Sequence, residues 1–232
     1  MKDLKEIFAK YNINVSQDQA DMFDEYFSML VETNKHLNLT AITEERDVLI
    51  KHFLDSALPE KIIPQNATLV DVGTGAGFPA LPLKIVRPDL KVCLVDSLNK
   101  RVNFLKDVCD KLKLENVSAV HSRAEDFAKN NREKFDVAVA RAVAQLNTLT
   151  EYLLPLVKVG GIAVIYKSSK LDEELKEAKK AIEILGAKVE KIEKIVVDEE
   201  NLERNILVLK KVKNTPNKYP RDKNKPKLEP IK

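Results

Sequence analysis

The segment Thr68 to Pro79, TLVDVGTGAGFP, constrains the fold of this chain more than any other. Leu69, Val70 and Val72 form a short apolar run around Asp71, and the run gives way to Gly73, Gly75 and Gly77. This pattern predicts a strand ending in a glycine-rich turn, with a helix beginning near Pro79. Glycines at alternate positions allow positive φ and let a ligand approach bare peptide groups. A second apolar run, KVCLVD, ends in Asp96, 19 residues beyond Gly77. An acid closing the second strand of a βαβ unit is placed to accept hydrogen bonds from ribose hydroxyls. The two features together predict a pocket for a nucleotide-like molecule.

The rest of the chain continues the alternation. After KVCLVD comes the helical pattern LNKRVNFLKDVCDKLKL, then the strand VSAVH, then the strand FDVAVARA. A helix is expected over TLTEYLLPLV, a fifth strand over GIAVIYK and a helix over DEELKEAKKAIEILG. Such alternation predicts an α/β fold, a parallel sheet with helices on both faces and ligands at the carboxyl ends of the strands. Gly73 to Gly77, Asp96, His121 to Asp126, Arg141 and Lys167 all fall at such ends. AKVEKIEKIVV and RNILVLKKV then alternate apolar and polar residues across a short connection, which predicts a hairpin and an antiparallel last strand. That ending is the one expected of class I (Rossmann-like) S-adenosylmethionine-dependent methyltransferases and weighs against a dehydrogenase.

The loop points the same way. Dinucleotide folds favour GxGxxG, whereas the spacing here is GxGxG, with Asp71 two residues ahead of the first glycine. Asp71 can accept from the cationic amino group of a methionine moiety, and no pyrophosphate needs cradling. The expected cofactor is S-adenosyl-L-methionine. The fourth strand ends in ARAVAQ rather than the Asn/Asp-Pro-Pro-aromatic motif that orients exocyclic amines. Neither Cys93 nor Cys109 stands where a nucleophile for pyrimidine carbon five is needed. Both of those acceptor classes are therefore disfavoured.

Residues 1–60 read as a helical N-terminal extension, 61–213 as the methyltransferase domain and 214–232 as a basic tail. Leu4, Ile7, Phe8 and Tyr11 recur at helical spacing, as do Met22, Phe23, Tyr26, Phe27 and Leu30, and Ser16 with Gln19 forms a candidate capping box. In RDVLIKHFLDSAL, His52 falls at the edge of the apolar face. Net charge is +3, but Lys210 to Lys232 holds nine basic and two acidic residues, so the preceding body is mildly acidic. Such a tail suits either phosphate contact or simple solvation. With 44% hydrophobic and 32% charged residues, two cysteines without CxxC spacing and no long apolar run, a cytoplasmic protein is expected, with no membrane span. His36, His52 and His121 lack metal-ligand spacing, so no metal is expected.

Several motifs then combine. NLT at 38–40, KHFLDS at 51–56, DVGTGAGFPALPLKIVRP at 71–88, VDSLNKRVNFL at 95–105, SRAED at 122–126, ARA at 140–142 and KNTPNKYPR in the tail resemble the glucose-inhibited division protein B family. That resemblance implies transfer of a methyl group to N7 of a guanine in bacterial small-subunit (16S) rRNA. It implies the 16S rRNA or the small ribosomal subunit as partner; a monomer is expected. It also implies a donor site lined by Gly73, Phe78, Asp96, Ser97, Ala124, Glu125 and Arg141. The acidic Glu125 also suits a helix N-terminus, and Arg141 also suits a pairing with Asp55 or Glu125 that closes the fold.

Guanine N7 carries a free lone pair, so its attack on a sulfonium methyl needs positioning rather than a general base. Arg141 and Lys167 are the candidates for positioning, with Lys100 and Arg101 as further cations, although these two also suit a solvated helix start. Arg46, Lys51, Tyr219 and Arg221 are expected as outer RNA contacts. Departures from the family pattern are Ala80 in place of glycine, Ser168-Ser169 after Lys167, and a tail that reads DKNKPKLEPIK after YPR. A small-molecule methyltransferase and a non-catalytic ribosome-binding module are the competing readings.

Overall fold

The computed structural model describes residues 1–231 apart from 142, 169 and 198–201. The last residue of the ARA motif, Ser169 and much of the expected hairpin connection thus lie outside the described residues. Seven strands form one sheet in the order β3-β2-β1-β4-β5-β7-β6. They are β1 (Thr68–Val72), β2 (Lys91–Asp96), β3 (Val117–His121), β4 (Phe135–Arg141), β5 (Val157–Lys167), β6 (Ala187–Val197) and β7 (Leu202–Lys211). The first five are parallel, and β7 runs antiparallel between β5 and β6. The chain reverses between β3 and β1 on one side and β4 on the other, so the ends of β1 and β4 border the crevice where ligands bind in such sheets.

Helices cover both faces. On one side lie α1 (Leu4–Lys10), α2 (Gln17–Leu37), α5 (Ala80–Val86) and α6 (Asn99–Lys111). With them packs a helical run from α3 (Glu45–Val48) through a π turn (Leu49–Leu54) to α4 (Asp55–Ala57). The expected capping box forms, with Ser16 Oγ accepting from the Gln19 amide and Gln19 Oε1 from the Ser16 amide. Phe8, Phe23, Tyr26, Leu30 and Phe53 of this region are buried in the same core as Leu69, Leu94 and Val139 of the sheet. On the other face α7 (Ala124–Asn130), α8 (Leu146–Leu153) and α9 (Leu171–Ile184) share a second core with Val70, Ala138 and Ile165. That core also takes in Tyr219 and Ile231 of the tail. Both flanking regions are therefore packed onto the sheet.

One expected boundary is corrected. The helix read through Val157 stops earlier: α8 ends at Leu153, Leu154–Leu156 form a tight turn, and β5 starts at Val157. Pro155 has no amide hydrogen to continue the helix. Gly160, at φ +88°, sits inside the strand beside a register shift against β4, so the glycine pair bends β5 instead of preceding it.

Candidate active site

The glycine loop is fixed from both ends. Gly73 and Thr74 donate to the Val95 carbonyl at 2.8 and 3.2 Å, and the Gly75 amide donates to Asp96 Oδ2 at 2.9 Å. Gly73 and Gly75 have φ of +72° and +61°, conformations that disfavour side chains. A Cβ on Gly75 would meet nothing within 4 Å, so this stretch of loop is open to a ligand. Gly77 serves packing instead: a Cβ there would lie 2.5 Å from Leu81 and from the Tyr26 hydroxyl.

A cavity of about 210 Å³ opens beside this loop. Its lining includes Gly73, Asp96, Ser97, Ala124, Glu125, Val143, Thr148, Tyr152 and Lys227. Asp96 is 3% exposed, and its oxygens accept one amide each, from Gly75 and Leu98, at 2.9 Å. Each carboxylate oxygen keeps acceptor capacity, the property a ribose diol requires. Arg101 Nη1 stands 3.5 Å from Asp96 Oδ2, behind the acid rather than in the cavity lining. Glu125, also 3% exposed, accepts from Arg123 Nε at 3.0 Å and from the Asn224 amide at 3.4 Å, both at Oε1. Oε2 accepts from no described residue.

Asp71 lies fully buried beneath the loop. Oδ2 accepts from Thr74 Oγ1 at 2.8 Å and from the Ala80 amide at 3.2 Å, while Oδ1 has no partner. Burial pushes its carboxyl up to about 7, partly offset by those two hydrogen bonds. A buried acceptor with nothing to accept from calls for a missing partner. Asp71, expected at the donor's amine, is itself absent from the lining of the first cavity. An open Gly75, a diol-ready Asp96 and an orphaned Asp71 oxygen together fit S-adenosylmethionine.

A second cavity, of about 420 Å³, lies past the end of β4 and is lined by Lys51, His52, Asp55, Arg141, Tyr166, Lys167, Glu174 and Arg204 among others. Its ionisable lining has four basic residues against two acidic ones, leaving His52 aside. Arg141 Nη1 donates to Asp55 Oδ2 at 2.7 Å and to the Lys51 carbonyl at 2.9 Å. Its Nη2 donates to His52 Nδ1 at 2.9 Å. The acceptor role of Nδ1 places the imidazole proton on Nε2, which donates to Thr40 Oγ1 at 2.8 Å. Burial, with the adjacent guanidinium, lowers His52 to about 3. Asp55, with no exposed surface, takes Arg204 Nε on its other oxygen at 2.6 Å. Phe78 packs against both groups, 4.4 Å from the His52 ring and 5.1 Å from the Arg141 guanidinium.

The expected residues thus separate into groups. Gly73, Asp96, Ser97, Ala124 and Glu125 converge on the first cavity, and Lys51, Arg141 and Lys167 on the second. Lys167 Nζ donates to Glu174 Oε2 at 2.6 Å and to the Ala144 carbonyl at 2.9 Å. Phe78 lines neither cavity and is 7% exposed, so it braces Arg141 from the side of the N-terminal helices. Arg46 and Lys100 are exposed on the surface away from both linings, with Lys100 Nζ 3.3 Å from the Leu37 carbonyl.

Tyr219 and Arg221 are engaged in the fold. Tyr219 is 7% exposed, and its carbonyl accepts from Arg132. Arg221 makes a forked pair with fully buried Glu151, Nη2 to Oε2 at 2.7 Å and Nε to Oε1 at 2.9 Å. Sequence reasoning missed Arg204, Tyr166 and Lys227. Arg204, a charge just before the apolar run 206–209 of β7, carried a detectable signal; Lys227, one lysine among many in a basic tail, carried none.

Neither cysteine lines either cavity, and burial pushes the Cys109 thiol up to about 11. Among the described residues no cluster of His, Cys, Asp and Glu is grouped to hold a metal, and no helix is long and apolar enough to cross a membrane.

Comparisons with known proteins agree with this geometry. Among solved structures, M. jannaschii TYW2 in complex with AdoMet shares the fold with a TM-score of 0.56 and 15% identity, covering 74% of this chain and 80% of that one. The ribosomal protein L11 methylase of Lactobacillus delbrueckii subsp. bulgaricus gives 0.55 at 16% identity over 70% of this chain and 80% of that one. The ribosomal RNA small subunit methyltransferase G of Alkaliphilus oremlandii is 49% identical, over 100% of this chain and 99% of its own. That of Lactobacillus acidophilus is 48% identical, over 96% and 95%. The family described as rRNA small subunit methyltransferase G, GidB, matches residues 19–206, and the chain belongs to it.

Proposed function

We propose that this chain transfers the methyl group of S-adenosylmethionine to N7 of a guanine in small-subunit rRNA, with the donor in the cavity beside Gly73 and the guanine in the cavity beside Arg141. The observation that carries the reading is the pairing of these two cavities at the carboxyl ends of β1, β2 and β4. One offers a diol-ready acid, Asp96; the other gathers Arg141, Lys167 and Arg204, each paired with an acid. S-adenosylmethionine supplies an electrophilic methyl on a sulfonium. Everything else falls to the chain's own residues.

Asp96 takes the ribose hydroxyls, Asp71 the amine, and the Gly73–Gly75 backbone approaches the methionine arm. In the second cavity the acids and His52 are held by cations, with Glu174 Oε1 the one carboxylate oxygen that takes no partner among the described residues. His52 Nδ1 accepts from Arg141, both Asp55 oxygens face guanidinium groups, and Glu174 Oε2 takes Lys167 and the Leu146 amide. A lone-pair nucleophile needs no base, so an acceptor of this type suits a site whose acids are paired with cations. Lys167 can donate to guanine O6 and leave N7 free for attack. The surplus of basic side chains around the cavity favours a phosphate-bearing substrate.

The test is methyl transfer to small subunits and to 16S rRNA from a strain lacking the enzyme, with the modified nucleoside identified by mass spectrometry. N7-methylguanosine at one position is the expected product. Methyl on an exocyclic amine or a ribose hydroxyl would refute the assignment. Lys167→Met is expected to lower kcat roughly tenfold or more while leaving donor affinity unchanged, because it removes a charged donor from the guanine side alone.

A further inference from the structure

We infer that the C-terminal segment is part of the donor site, with Lys227 reading the adenine edge together with Glu125; the inference rests on the donor assignment above. The tail does not trail into solvent. Arg221 is clamped on Glu151, Asp222 pairs with Lys129, and Thr148 Oγ1 donates to the Pro226 carbonyl at 2.9 Å. Tyr219 and Ile231 anchor either end of this stretch in the core shared with α8 and α9. Between those anchors the short helix α10 (Lys225–Leu228) is held against α8, and Lys227 joins Asp96 and Glu125 in lining the cavity.

Two polar groups stand ready in that lining. The Lys227 ammonium makes no hydrogen bond or ion pair with a described residue. Glu125 is 3% exposed, and the Asn224 amide, three residues before Lys227, shares its Oε1 with Arg123 while Oε2 stays open. The tail thus both supports the acceptor and supplies the donor. An acceptor and a donor lining one cavity match the edge of adenine, whose exocyclic amine donates and whose N1 accepts. They mismatch hypoxanthine, where O6 accepts and N1 donates. A strap of this kind makes the tail a determinant of which nucleoside is bound, whatever its separate contribution to RNA contact.

Calorimetric titration of the full-length protein with S-adenosylhomocysteine and with S-inosylhomocysteine tests this. The wild type is expected to prefer the adenosine compound. Lys227→Ala is expected to weaken that compound roughly tenfold, the loss of one charged donor, while changing the inosine compound less than twofold; Lys227→Arg should restore the preference. A merely structural tail would weaken both ligands equally. An equal loss, or no loss, overturns the inference while leaving the donor assignment intact. Absence of binding by the wild type removes the donor assignment and this inference with it. Hydrogen exchange supplies a second reading on the unmodified chain: amides of residues 224–228 should gain protection when S-adenosylhomocysteine is added, and unchanged exchange there counts against the strap.

Discussion

Two buried groups beside Arg141 titrate in opposite directions, and their substitution separates two terms that the wild type hides. Asp71 is raised from 3.8 to about 7 by burial, so the folded protein holds a proton that the unfolded chain has lost. Its contribution to stability is full below pH 3.8 and is lost as pH rises through about 7. His52 is lowered from 6.5 to about 3, first by burial and then by Arg141. Its contribution is present above pH 6.5 and is lost as pH falls towards 3. One pH unit of unequal protonation is worth about 1.4 kcal/mol.

Between pH 4.5 and 7.5 the Asp71 term therefore falls by about 3 kcal/mol, and the His52 term rises by about 3 kcal/mol. Their sum is near zero. In Asp71→Asn the falling term is gone, while the side-chain carbonyl can still accept from Thr74 and Ala80. Urea unfolding of both proteins at the two pH values reads the result. The variant should gain about 3 kcal/mol on the wild type between pH 4.5 and 7.5, and His52→Gln should lose a similar amount over the same interval. All other titrating groups are common to the proteins and cancel in the difference. A mutant-minus-wild-type difference that does not vary with pH would refute the assignment of these shifts.

In the proposed donor site ionised Asp71 is the form that would receive the amine, so donor Kd should fall about tenfold per unit from pH 5 to near 7 and level off above, a slope that Asp71→Asn abolishes. Asp96→Asn keeps one acceptor for the loop but removes the charge; donor affinity, read by calorimetry, should weaken by roughly 1.5–3 kcal/mol. Asp55→Asn leaves Arg141 and Arg204 without their shared carboxylate. Because both arginines are partly exposed, the expected cost is at the low end for a broken buried pair, about 3 kcal/mol, seen as a Tm lowered by roughly 6–12 °C. With donor and RNA saturating, kcat should be flat from pH 6 to 9; a limb of unit slope would reveal a base that the proposed chemistry does not use.

What could be read from the chain was whatever local physics decides. The apolar residues recurring in AKVEKIEKIVV mark β6 over Ala187–Val197, the bounds at which the strand forms; Ala187 and Ile192 meet one core, Ile195 and Val197 the other. The capping box at Ser16 and Gln19 and the acid ending β2 are equally local. The early end of α8 was illegible because LLPLV is apolar throughout, and a continuous apolar run carries no period to separate helix from strand. Phe78 was expected in the donor site from the family resemblance. Its actual direction is set by His52, Tyr26 and Arg141, which lie far from it in sequence.

The tail shows the same limit from the side of charge. Nine basic residues in one stretch suit either phosphate contact or simple solvation, and no pattern within them tells which are already satisfied. The fold decides this through partners elsewhere. Lys211 is 1% exposed, its ammonium set among the Leu154 carbonyl, Thr215 Oγ1 and Glu133, and burial lowers it to about 8. Arg221 is taken by Glu151. Both acids lie outside the tail, so a count of charges within it overstates what remains for RNA. Four further basic groups, Lys51, Arg141, Lys167 and Arg204, are gathered around the second cavity, each paired with an acid. Asp55, on the N-terminal helices, there holds Arg141 of β4 and Arg204 of β7 in one place. The three segments are separated by 86 and 149 residues from Asp55 to each partner. Guanine recognition on this reading depends on the N-terminal helices as much as on the sheet, because without Asp55 two like charges would meet across the cavity with only a neutral histidine between them.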